Sequence, residues 1–97
     1  MIYPLFNDKP LVPSLSAYRE LSGLGMDLED ACDVLKNGFD CARSRREVGK
    51  IERCLVVKER IRKIVAVEKE NRYLIIHAGE LKFSKKAKKR FGEKWQK

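Results

Sequence analysis

The sequence predicts an α+β domain: two N-terminal helices packed on a three- or four-stranded antiparallel sheet, followed by a basic C-terminal helix. Three observations lead there. Apolar residues recur with helical spacing between residues 14 and 37. Runs rich in Ile and Val, separated by short polar segments, follow between 51 and 79. From residue 80 an apolar residue returns every fourth position among lysines. Helical patterns gathered ahead of the strands give layers of helix on sheet. A chain of 97 residues buries one modest core, so it reads as a single domain with an extended arm over 1–13, a core over 14–79 and a basic segment over 80–97.

The arm holds all three prolines, Pro4, Pro10 and Pro13, which remove backbone donors and disfavour helix in the residues before them. Its Ile2, Leu5, Phe6, Leu11 and Val12 suit either an edge strand or a segment laid on the core. Ser14 or Ser16 caps a short helix to about Ser22, which the step Gly23-Leu24-Gly25 breaks. Asp27 caps a second helix, with Asp30 near the positive end of its dipole and Gly38 as the expected left-handed terminator. Leu28, Ala31, Cys32 and Leu35 form its apolar stripe, and residues 39–46 read as a loop. Three strands then span 51–57, 61–68 and 73–79, and their short connections predict a meander. Ile64-Val65-Ala66-Val67, apolar on both faces, marks the central strand. Beyond Glu80, Ser84 caps a helix carrying Phe83, Ala87, Phe91 and Trp95, with Gly92 weakening its last turn.

The formal charge is +8, unevenly spread. Residues 1–42 sum to −4, residues 43–63 to +6, residues 64–79 to zero and residues 80–97 to +6. Two basic blocks flanking a neutral apolar segment attract a polyanion to one side of a molecule, and RNA or another nucleic acid is the natural partner. A solvated charge run that serves solubility is the competing reading. No apolar run approaches the ~20 residues of a membrane span, and the N-terminal residues lack a signal-peptide pattern. A cytoplasmic location with no membrane partner is therefore expected. Cys32, Cys41 and Cys54 are odd in number and contain no Cys-x-x-Cys pair, so they suggest neither a disulfide framework nor a zinc site and read as small buried side chains.

No Gly-rich phosphate loop or metal-ligand spacing is present, so the sequence implies no cofactor and no metal. Catalysis would fall to cationic residues, an acid, or the single histidine, His77. Phosphodiester cleavage suits such a set: cations stabilise charge on the phosphate while one group moves a proton. In RNA the 2′-hydroxyl supplies the nucleophile. If both hairpin loops have three residues, His77 lies opposite Lys63, and Arg53, Lys63, Tyr73 and His77 cluster on one sheet face; an even loop turns side chains over. Arg53 is then the site residue of the pair Glu52–Arg53, with Glu52 left to a nearby lysine or arginine. Arg43, Arg45 and Arg46 could hold phosphate oxygens in a fork, and Lys85, Lys86, Lys88, Lys89 and Arg90 form the second nucleic-acid-binding block.

From about Ser16 to Gly79 the chain resembles small toxin-like domains of the RelE/ParE type, in the superfamily that also holds barnase-like and colicin-type ribonucleases. The matching residues are Met26-Asp27-Leu28-Glu29-Asp30-Ala31, Leu35-Lys36-Asn37-Gly38, Arg43-Ser44-Arg45-Arg46, Ile51-Glu52-Arg53-Cys54 and Ile75-Ile76-His77-Ala78-Gly79. The resemblance implies helices against a curved antiparallel sheet whose exposed face binds and cuts RNA, roles for His77, Arg53 and the loop arginines, and an antitoxin protein as a second partner. Lys63 comes from the register argument alone, and the lysine-rich tail departs from the pattern. Three functions follow as expectations: an RNA-binding domain that cleaves without metal, a nonenzymatic nucleic-acid-binding module, or a protein-interaction domain acting through the C-terminal helix.

Overall fold

In the computed structural model, residues 2–41 and 48–82 are described. Leu5–Phe6 (β1) and Lys9–Pro13 (β2) form a hairpin, Leu15–Gly23 (α1) and Leu28–Asn37 (α2) follow, and Phe39–Asp40 (β3) leads to the long strands Lys50–Val57 (β4), Arg60–Glu68 (β5) and Tyr73–Lys82 (β6). All six strands join one sheet in the order β1-β2-β6-β5-β4-β3. The meander of β4, β5 and β6 is present and β5 lies inside it. The expected architecture is nevertheless corrected. The sheet has six strands rather than three or four, and it is mixed, because β2 runs parallel to β6. Among the described residues no basic C-terminal helix exists: β6 runs through Glu80 to Lys82, where that segment was expected to begin. The remainder of that expectation, residues 83–97, lies outside the described residues.

Of the arm expected over 1–13, Leu5–Phe6 and Lys9–Pro13 join the sheet, as the edge-strand alternative has it. Asn7 and Asp8 both take positive φ, 50° and 67°, and make the two-residue turn that pairs Phe6 with Lys9. Pro10 precedes the first residue paired with β6, and Pro13 follows the last paired with β1, so neither missing N–H breaks a ladder bond. Phe6 and Leu11 are buried in the main core, and Phe6 meets the Tyr73 ring edge-on at 4.9 Å.

The helices form where local chemistry dictates. The Ser14 hydroxyl accepts from Ala17 N–H, and Asp27 and Asp30 make a reciprocal capping box. Gly38 ends α2, but with φ −80° rather than in the left-handed region. Glycine is needed there for space. A β-carbon would sit 2.5 Å from the Cys54 carbonyl oxygen and closer still to that of Val34.

Both helices cover one face of the sheet. Ala17, Leu21, Ala31, Val34 and Leu35 pack with Ile64, Ala66, Tyr73, Ile75 and Ala78. Full burial of each Leu or Ile contributes roughly 1.5–3 kcal/mol. The second face carries a smaller cluster of Cys41, Cys54 and Ile61, with Phe39 against it. Cys41 and Cys54 form a disulfide between the end of β3 and β4, which corrects the reading of both as isolated buried thiols; Cys32 is the buried free cysteine.

Candidate functional site

Two turns and a bulge decide which side chains share the second face. The β4–β5 hairpin closes through Lys58-Glu59 alone, pairing Val57 with Arg60. This even loop puts Lys63 opposite Cys54 and Arg53 opposite Ile64, so Arg53 faces the helices. There its Nη1 donates to the Leu35 carbonyl in the last turn of α2 at 2.9 Å, satisfying an acceptor that the helix itself leaves unpaired. The expected convergence of Arg53 and Tyr73 with His77 is therefore corrected. Both lie on the helix face, and Tyr73 is buried.

The β5–β6 connection is also even, pairing Glu68 with Tyr73, and would have turned His77 toward the helices. A bulge at Ile76 reverses it. Ala66 pairs with Ile75 but Val65 pairs with His77, so one extra residue on β6 returns His77 to the face that holds Lys63. Lys63 itself lies opposite Gly79, which makes His77 its diagonal neighbour, at roughly 7–8 Å between such positions. A β-carbon on Gly79 would meet nothing within 4 Å. The space above Gly79 is thus open, between the register positions of Lys63 and His77.

Glu52 shares this face through its pairing with Val65, and its carboxylate lies 3.6 Å from Lys63 Nζ. The Lys63 side chain is 36% exposed and that of Glu52 18%. His77 is 69% exposed. Its Nδ1 lies 3.1 Å from Glu20 Oε1, the same oxygen that accepts from Ala78 N–H at 3.1 Å. The edge of β6 explains this contact. Ladder pairing with β2 stops at Pro13, Ser14 N–H makes the next bond to Ile75 O, and beyond it the outward amide of Ala78 is left for α1 to satisfy. The hydrogen bond from Ala78 N–H, with the His77 ring beside it, holds the Glu20 carboxyl below its usual range.

The expected pairing of Glu52 with a nearby lysine or arginine is met by Lys63, whereas Glu20 was not picked out by the sequence. The face of Glu52 follows from the two-residue hairpin, whereas no local signal links Glu20 to a histidine 57 positions away. Arg43, Arg45, Arg46, Lys85, Lys86, Lys88, Lys89 and Arg90 lie outside the described residues. Among the described residues no group of three or more His, Cys, Asp or Glu side chains is arranged to hold a metal ion. A groove of about 750 Å³ runs between the N-terminal segment and the helices, lined by Tyr3, Leu15, Tyr18 and Met26 with Asp27 and Glu29 and by no cation. It does not suit a polyanion. No helix among the described residues is long and apolar enough to cross a membrane. No family model, curated protein or solved structure matches the chain.

Proposed function

We propose that this chain is an RNA-binding domain of the RelE/ParE-like type that cleaves RNA without a metal, at the β6 edge of the sheet face opposite the helices. One observation carries the reading: His77, with its exposed imidazole, and Lys63 hold diagonal register positions on one sheet face beside Gly79, where a β-carbon would meet nothing within 4 Å. A phosphodiester seated over Gly79 meets the charge of Lys63 while His77 takes the proton of the 2′-hydroxyl. The 2′-oxygen bonds to phosphorus and the bond to the 5′-oxygen breaks. The departing oxygen is protonated from solvent, to which His77 returns its proton, leaving a 2′,3′-cyclic phosphate. Arg43, Arg45, Arg46 and the basic tail add affinity along the strand. Cytoplasm is the compartment this reading requires, and an antitoxin protein is its natural regulator.

RNA cleavage in EDTA, abolished by His77→Ala, is the expected result. Intact RNA at high protein concentration overturns the catalytic reading. The clustered excess of cations favours a second reading, binding without cleavage. It predicts affinity that falls steeply with salt but survives His77→Ala.

A further inference from the structure

We infer that Glu20 is a positioning residue for His77, fixing the imidazole in the tautomer that carries hydrogen on Nδ1 and presents an unprotonated Nε2 to the RNA. The inference rests on the proposed nuclease reading for its catalytic meaning, but its chemistry stands on the geometry of three groups.

The backbone amide of Ala78 can only donate, so Glu20 Oε1 at 3.1 Å is its acceptor. The same oxygen lies 3.1 Å from His77 Nδ1. An ionised carboxylate has no hydrogen to give, and the lowered Glu20 carboxyl is ionised at neutral pH. A bare Nδ1 would set lone pair against lone pair. Nδ1 must therefore donate, which makes Nε2 the basic nitrogen of the neutral ring. Among the described residues, Nε2 has no hydrogen bond of its own.

Two features hold the carboxylate in place. Its helix is anchored by Ser14, whose N–H bonds Ile75 O of β6 and whose hydroxyl caps α1. The Ala78 amide then fixes the oxygen itself. Glu20 thus performs two tasks with one atom: it closes the strand edge that β2 leaves open, and it aims the only imidazole of the chain.

A single histidine makes the test direct, because long-range 1H–15N spectra of the full chain contain one imidazole pattern. With the ring neutral, the wild-type chain should show hydrogen on Nδ1. Glu20→Ala should move it to Nε2, the preference of an unconstrained histidine side chain, and Glu20→Gln, which keeps an acceptor oxygen, should largely preserve the wild-type pattern. RNA cleavage should fall about tenfold or more in kcat for Glu20→Ala with KM little changed, and recover most of that in Glu20→Gln. Hydrogen on Nε2 in the wild-type chain overturns the inference and needs no variant that must fold. A tautomer that ignores Glu20→Ala, or a tautomer change with undiminished cleavage, overturns it equally. Failure of the wild-type chain to cut any RNA would instead sink the nuclease reading, while the spectra still decide whether Glu20 sets the tautomer.

Discussion

Gly79 is the residue whose lack of a side chain matters most to the proposed site. Its backbone is not in the left-handed region and a β-carbon there meets nothing, so Gly79→Glu should fold normally while placing a carboxylate beside Lys63. RNA affinity is expected to drop at least about tenfold, measured by filter binding with thermal unfolding as the control. Arg53 gives the opposite result. Because its guanidinium caps α2, Arg53→Ala should cost about 1.5–3 kcal/mol in urea unfolding, the value of a hydrogen bond to a charged group, and leave RNA binding unchanged. Selective loss of RNA binding in Arg53→Ala would return this residue to the site. At this scale the sequence was legible where the signal is local. Ser14 and Asp27 declare their caps through residues three positions on. Arg53 was not legible, because its face depends on a turn where Lys58 takes φ 58°, a conformation that a lysine side chain does not advertise.

Among the elements, the helices and the three long strands were readable because each carries its own period. The short strands were not. β1 and β3 have two residues each, too few to alternate, and β2 has prolines at two of its five positions. Asn7-Asp8 tolerates the left-handed backbone of this hairpin turn, but the nearby prolines mask that signal in the sequence. The bulge at Ile76 has no sequence marker, although it decides the face of His77. Two element junctions yield tests. Gly38→Ala presses a methyl group against the Val34 and Cys54 carbonyls, and should destabilise the fold by roughly 1–3 kcal/mol through displacement of α2 from β4, read by chemical denaturation. The Cys41–Cys54 bond closes a segment of 13 positions that includes Arg43, Arg45 and Arg46. Reduction should cost about 3 kcal/mol, seen as a lower melting temperature in dithiothreitol that Cys41→Ser reproduces. A reducing cytoplasm would hold this pair as thiols.

For the whole molecule, acid should weaken the fold through carboxylates that native partners hold low. Glu20, bonded by Ala78 and His77, and Glu68, bonded by Lys9, both titrate below the usual carboxylate value. Their stabilisation is complete above that ordinary value and disappears as pH falls through the lowered native one. Glu20→Gln should accordingly flatten the acid limb of stability against pH. The charge pattern predicts a polarised molecule but does not say which sheet face would carry the proposed site, since side chains alternate along every strand. The pairing of β2 with β6 was illegible for a related reason: the partners are separated by both helices and the other long strands. That separation also governs how the molecule is made. As the chain leaves the ribosome, the N-terminal hairpin must wait without its neighbour until β6 emerges, so assembly of the main core is tied to release of the late segment. Stalled fragments ending before residue 73 should stay protease-sensitive, with Phe6 and Leu11 lacking the Tyr73 wall against which they pack in the finished protein.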